Sequence, residues 1–222
     1  MAALDAPAHA LAAVGGTLLA ATTRAVAAMR PAAKPLHPRG EVTRGRLFRT
    51  GAVPATGVAW LDEPGQDDVL VRRSRAIGLP GSVPDIHGLA VRVPRPDGGH
   101  GDLLLASTGW GRVTRFVLTA SRSPQRRPMT TLLPYRTDRG PLLLGARATG
   151  EESFELAVAT PEGEWTRFAE LRLSTLPAAL SDGDADISFD PVVNQLPGLE
   201  QYDAVERLRE PSYQTARGAR SE

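Results

Sequence analysis

Residues 153–173, SFELAVATPEGEWTRFAELRL, decide the fold class predicted for this chain. Apolar and polar residues alternate along 154–159 and again along 165–173, which is typical of strands with one buried face. Between these runs, Pro161, Glu162 and Gly163 are residue types that favour a tight turn. The stretch therefore predicts a β-hairpin with one apolar face.

Similar short runs, rich in Val, Leu, Phe and Thr, occur earlier in the chain. They cover residues 44–50, 68–73, 89–93, 102–106, 112–120 and 141–147, with Pro and Gly between them. Together with the hairpin they make about eight strands, a spacing that favours an antiparallel barrel or sandwich. The alanine-rich residues 8–29 and the amphipathic residues 201–209 predict helices at the two ends. We therefore expect an α+β, mainly β fold, with residues 1–34 as an N-terminal helical arm and 35–222 as the barrel domain.

Composition limits the function classes. The 222 residues include no cysteine, which excludes disulfide scaffolds and thiolate chemistry, and the net charge of +1 gives no indication of a nucleic-acid partner. No run reaches the roughly 18–20 apolar residues of a membrane span. The alanine-rich start lacks the basic residues of a signal peptide, so a cytoplasmic protein is expected. Lys34 is the single lysine among 26 basic residues, and a few of the arginines could bind anionic ligands with their planar guanidinium groups.

Six short motifs are informative as an ordered set. They are His37-Pro38-Arg39-Gly40 followed by Gly45 and Phe48, Val71-Arg72-Arg73-Ser74, Asp85-Ile86-His87-Gly88-Leu89-Ala90-Val91-Arg92, Phe189-Asp190-Pro191, Pro197-Gly198-Leu199, and Arg209 to Tyr213. In this order and at these separations the motifs resemble the haem catalase superfamily, in particular its short catalase-related peroxidases. The matching motifs lie near both ends of the chain, and the resemblance is weak between about residues 113 and 186. It implies a catalase-like β-barrel of about eight strands that binds haem b and its iron.

On the C-terminal side, the resemblance implies that Tyr213 is the axial iron ligand. Arg209 lies four residues before it, so on a helix the two side chains share a face, and a guanidinium beside the phenol favours the phenolate. Tyr is the axial ligand that catalases use. Pro211, between them, is a departure that would perturb this turn. Arg217 is a further candidate for binding the phenolate or a haem propionate.

On the N-terminal side, the resemblance implies that His37 is the general acid/base that moves a proton between the two oxygens of a bound peroxide. Ser74 matches the serine that orients this histidine. Arg72, two residues earlier on the same strand, would share its face and bind a propionate. Lys34 stands where the family has another propionate-binding arginine.

One departure bears on the reaction. Ser107 aligns with the asparagine that holds hydrogen peroxide over the iron, and a hydroxyl has a shorter reach and no NH donor. The resemblance with this change implies poor catalase activity, and peroxide-dependent oxidation of a small organic donor or a hydroperoxide instead. Trp110 and Phe116 could line such a pocket or belong to the barrel core.

Two other function classes remain open. The first is a haem-free β-barrel that binds a small apolar ligand or a partner. The second is a metal-dependent phosphodiesterase-like hydrolase, because Asp85-Ile86-His87 and Gly101-Asp102 resemble the opening of a metallophosphoesterase, although no histidine follows His100. A homo-oligomer is left open as well.

Overall fold

A computed structural model describes residues 40–76, 83–174 and 187–203 of the chain. Backbone contacts divide the chain into two units, Met1–Lys34 and Pro35–Glu222, and every described residue belongs to the second. The N-terminal helical arm predicted for residues 1–34 lies outside the described residues. Of the C-terminal helix predicted over residues 201–209, residues 204–209 also lie outside them.

The described residues form nine strands, all paired antiparallel. They are β1 (Gly40–Arg49), β2 (Gly65–Arg75), β3 (His87–Pro94), β4 (His100–Ser107), β5 (Met129–Thr130), β6 (Tyr135–Thr137), β7 (Gly140–Ala148), β8 (Ser153–Ala159) and β9 (Thr166–Leu173). Their order in the sheet is β5-β4-β3-β2-β1-β9-β8-β7-β6, and β5 also pairs with β7. That pairing closes eight strands into a barrel, while β6 pairs with β7 alone. The predicted mainly β fold with an antiparallel barrel of about eight strands is confirmed.

Alternate side chains of each strand point into the barrel and form its core. On β3 these are Leu89 and Val91, each 1% exposed, and on β8 they include Phe154, Leu156 and Val158. Residues between them point outward, which is the period-two alternation expected of a closed sheet. The predicted hairpin is therefore present as β8 and β9, with Pro161 and Gly163 in the connection.

The prediction of a strand over residues 112–120 is wrong. A 3-10 helix, Thr114–Phe116, occupies the middle of this stretch, and Val113 and Val117 are exposed. Gly111 makes the turn, because its N–H donates to the Thr114 hydroxyl at 3.0 Å and its carbonyl accepts from the Arg115 N–H at 2.9 Å. The fifth barrel strand is the two-residue β5, which is too short to produce a sequence pattern.

The connection between β1 and β2 packs against the barrel core. It contains helix α1 (Ala59–Asp62), whose Leu61 is fully buried. Arg49 of β1 holds this connection, since its guanidinium donates to the Trp60 and Glu63 carbonyls and pairs with Asp67 at 2.8 Å. Within the described part of the chain, no helix is long and apolar enough to cross a membrane.

Candidate functional site

The outer face of β1–β4 brings three of the family-like motifs together. Strand register places Gly40, Ser74, Gly88 and Ala106 in one row across the four strands, and Val42, Arg72, Ala90 and Leu104 in the next. These side chains point away from the core because their neighbours Val71, Leu89 and Leu105 point inward. We call these two rows the β1–β4 outer face; its eight residues are all half-buried.

Arg72 and Ser74, two of the predicted site residues, lie in adjacent rows of this face. The Arg72 guanidinium lies over Gly40, since a Cβ built on Gly40 would come within 2.6 Å of Arg72 Cζ. This contact links two sequence motifs, because Gly40 closes the first and Arg72 belongs to the second. A glycine at position 40 is therefore needed for the observed position of Arg72.

Ser107 lies on the opposite face from Arg72 and Ser74. It shares the inward orientation of Leu105, is fully buried, and its hydroxyl donates to the Thr119 carbonyl at 2.7 Å and accepts from the His87 N–H at 3.0 Å. The β4 residue in the Ser74 row is Ala106. The structure therefore does not bring Ser107 together with Arg72 and Ser74. Its hydroxyl instead bonds to the backbone of His87 and Thr119.

The other predicted site residues lie outside the described part of the chain. These are Lys34 and His37 on the N-terminal side of β1, and Arg209, Tyr213 and Arg217 after the last described residue, Asp203. His37 precedes the first residue of β1 by three positions.

The segment 187–203, which leads towards Tyr213 in the sequence, is anchored to the barrel by Asp102 of β4. Both Asp102 carboxylate oxygens accept from Arg92, at 2.8 and 2.9 Å. One of them also accepts from the Asp190 N–H and the Asn194 side-chain amide, each at 2.8 Å. The Arg92 guanidinium also donates to the Ser188 carbonyl and lies 4.9 Å from the Phe189 ring centre. The motif Phe189-Asp190-Pro191 thus belongs to a buried anchor, which we call the Asp102 anchor.

Asp85, His87 and Asp102 do not form the metal site considered from the sequence. Asp102 is occupied by the anchor, and the His87 ring contacts the Ser121 carbonyl at 2.8 Å. Asp85 accepts from the Ile86 N–H at 2.7 Å and faces Arg75 at 3.6 Å. Across residues 40–76, 83–174 and 187–203, no group of three or more His, Asp or Glu side chains is placed to hold a metal ion.

Trp110 lies on a different face from Arg72. It packs on the outer face of β7–β9, where its ring would be 2.7 Å from a Cβ on Gly145, and it stacks on Trp165 with ring centres 4.2 Å apart. Phe116 is buried at 8% exposure in the 3-10 helix. Trp110 therefore does not line the β1–β4 outer face.

The sequence analysis missed two features of the site, the inward orientation of Ser107 and the Asp102 anchor. Only the first could have been found from the sequence. Counting alternate positions from Leu103 and Leu105 places Ser107 on the inner face and Ala106 on the outer one. The Asp102 anchor had no signal in the sequence, because its partners lie about 90 residues apart along the chain. No protein-family model matches the chain, and no curated protein matches its sequence.

Proposed function

We propose that this chain is a haem-binding, catalase-like protein that uses peroxide to oxidise a small organic donor or a hydroperoxide. The observation that supports this most is the convergence of Gly40, Arg72, Ser74 and Gly88 on one outer face. These residues come from three separate motifs that resemble the haem catalase family.

The β1–β4 outer face fits a flat macrocycle in shape and charge. Gly88, Ala90 and Ala106 carry at most a methyl group and form a patch of small residues on β3 and β4, beside the larger Leu104. A planar ring could approach the sheet over these three residues. Arg72 borders this area and is the residue type that binds a propionate with two parallel hydrogen bonds. Bound haem would supply an iron centre able to exchange electrons with peroxide.

The remaining roles belong to this chain's own side chains. Tyr213 would hold the iron, with Arg209 favouring its phenolate form, and His37 would take a proton from one peroxide oxygen and return it to the other. Ser74 would fix which ring nitrogen of His37 faces the peroxide. Lys34 and Arg217 would bind propionate or phenolate oxygens beside Arg72.

The β4 position in the Ser74 row bears on the choice of reaction. Ala106 places a methyl group there, so β4 offers no hydrogen-bond donor to hold hydrogen peroxide on this face. This supports weak disproportionation of hydrogen peroxide relative to oxidation of a second substrate. We expect Ala106→Asn to raise the ratio of catalase to peroxidase rates, and Ser107→Ala to leave that ratio unchanged because Ser107 points inward.

The binding test is the absorption spectrum and iron content of the purified, haem-reconstituted protein. A Soret band that Tyr213→Phe shifts or abolishes is expected. Tyr202→Phe is the matched control and should leave the band unchanged, since Tyr202 is outside the matching motif. If no Soret band forms in the unaltered protein, the haem proposal is wrong and a haem-free binding protein becomes the better description.

The reaction test compares His37→Gln with His100→Gln in the haem-loaded protein. We expect His37→Gln to keep the Soret band and lose about 10²–10⁴-fold in the peroxide-dependent oxidation of a chromogenic phenol, the usual range for removing a general acid/base. His100→Gln should retain the rate of the unaltered protein. Equal rates in the two variants would refute the role given to His37.

A further inference from the structure

A cleft of about 400 Å³ lies on the outer face of β7–β9. Its lining includes Ala157 and Arg167, which register pairs across β8 and β9, and Gly145 of β7 pairs with Ala157 on the other side. Over Gly145 stand the stacked rings of Trp110 and Trp165, which are also joined by a hydrogen bond of 2.8 Å from the Trp165 indole N–H to the Trp110 carbonyl. This cleft belongs to strands that take no part in the β1–β4 outer face.

Cations flank the tryptophan pair on both sides. The Arg147 guanidinium lies 5.0 Å from the Trp110 ring centre, and the Arg115 guanidinium lies 4.7 Å from the Trp165 ring centre. Contacts of this kind between a guanidinium and an aromatic ring are favourable. The tryptophan pair therefore helps to hold both guanidinium groups beside the cleft.

The charges that line the cleft do not balance. Four arginines, Arg112, Arg115, Arg147 and Arg167, face two glutamates, Glu155 and Glu164, which leaves an excess of two positive charges. Both glutamates are already paired with exposed arginines.

Those pairs join Glu164 to Arg112 at 2.8 Å and Glu155 to Arg147 at 2.8 Å. Arg167 approaches two carboxylates, Glu170 at 3.5 Å, which is outside the cleft lining, and Glu155 at 4.0 Å. Neither glutamate lies within ion-pair distance of Arg115.

Arg115 is the unusual member of this set. It is 1% exposed, and among the described residues no carboxylate lies within 4 Å of its guanidinium. Its hydrogen bonds run to two neutral carbonyls, of Gly111 at 3.2 Å and of Thr160 at 3.0 Å. Burial lowers the pKa of Arg115, and the charge of Glu164 opposes that shift only in part. A buried cation without an anion is costly, and a bound anion would remove that cost.

We propose that this cleft binds a small dianionic oxyanion, held by the N–H edges of Arg115, Arg112 and Arg147 beside the tryptophan pair. Three guanidinium groups offer more N–H donors than one carboxylate can accept, which favours a ligand with two anionic groups or a phosphate. Planar guanidinium groups match both carboxylate and phosphate oxygens. The ligand is therefore a short dicarboxylate or a phosphate group, and the two classes are separated by titrating each one.

The test is tryptophan fluorescence during titration with inorganic phosphate, succinate and acetate at constant ionic strength set with choline chloride. A Trp60→Phe background leaves Trp110 and Trp165 as the only tryptophans in the chain. We expect a saturable change with phosphate or succinate, whichever class the cleft selects, and a much weaker one with acetate. A response without saturation, or one equal to that of choline chloride, would overturn the proposal.

Charge variants separate binding from general screening. Glu164→Gln removes a competing carboxylate that is 83% exposed and should tighten binding by about 2- to 5-fold, a gain that misfolding cannot produce. Arg112→Gln should weaken binding by a similar factor. Arg46→Gln, a matched control on β1 at 56% exposure, should leave it unchanged. Equal effects of Arg112→Gln and Arg46→Gln would show that only net charge matters and would refute the site.

Discussion

Replacing Asp102 with asparagine should lower the free energy of unfolding more than replacing any exposed charged residue. The Asp102 side chain is fully buried, and its two oxygens accept four hydrogen bonds, two of them from Arg92. Asparagine keeps one acceptor oxygen and turns the other into an NH₂ group that faces donors. The change thus removes the negative charge and at least one of these hydrogen bonds.

The size of the effect follows from the burial of the pair. Removing one partner of a buried ion pair costs about 3–5 kcal/mol, because the other charge is left without compensation. Arg92 is 20% exposed, so water can solvate its guanidinium in part. We therefore expect Asp102→Asn to lower the free energy of unfolding by about 3 kcal/mol, the low end of that range. This is a large share of the roughly 5–15 kcal/mol that stabilises a typical domain.

Urea unfolding followed by circular dichroism measures this change, with Asp68→Asn as the control. Asp68 pairs with Arg46 but is 82% exposed, so its loss should cost less than about 0.5 kcal/mol. Hydrogen exchange gives a local readout, since the Asp190 amide should exchange faster in Asp102→Asn.

A double-mutant cycle with Arg92→Met isolates the pair. Removing both charges leaves no orphan ion, so the double variant should be about 2 kcal/mol more stable than the two single losses predict by addition. Additive losses, or an Asp102→Asn variant within 0.5 kcal/mol of the unaltered protein, would refute the anchor's assigned role. If the haem proposal holds, Asp102→Asn should also lower haem retention, because the anchored segment leads into Tyr213.

Two further predictions concern local contacts. Burial works to raise the pKa of Asp62, but hydrogen bonds from Thr56 and Gly57 outweigh it and lower that pKa below 3.8. Asp62→Asn should therefore cost about 1 kcal/mol at pH 7. In pH-dependent urea unfolding this difference should shrink as the pH falls through the lowered pKa, and a difference that does not change with pH would contradict it. Gly145→Ala should destabilise the protein by about 1–3 kcal/mol and change the near-ultraviolet circular dichroism, because its Cβ would be 2.7 Å from the Trp110 ring; an unchanged spectrum would contradict the packing.

The fold could be predicted from the sequence where a strand is long enough to show alternation. Residues 153–173 have this property, and so do the runs that became β1–β4 and β7. The run 112–120 also looked like a strand, but Gly111 and Thr114 make local hydrogen bonds that turn the chain. β5 could not be found because two residues cannot display a period of two. Closure of the barrel depends on that strand, so it was not readable from any single segment.

The candidate site was predictable only in part, for a different reason. The motif resemblance selected Arg72 and Ser74 as candidates, and the register of β1–β4 places them on one face with Gly40 and Gly88. Ser107 was assigned by alignment of a short stretch, where a shift of one residue exchanges the inner face for the outer one. Arg115 gave no signal because its special feature, burial without a carboxylate partner, depends on contacts with residues distant in sequence, such as Thr160.

The two proposed binding sites lie on different outer faces of the barrel. Side chains such as Leu47, Val71 and Leu171, each fully buried, fill its inner face. The two outer faces differ in chemistry. The β1–β4 outer face has one motif arginine beside small and aliphatic residues, whereas the cleft on β7–β9 has two tryptophans and an excess of positive charge in its lining. Because they use different strands, Glu164→Gln should change anion binding without shifting a Soret band, and Tyr213→Phe should do the reverse.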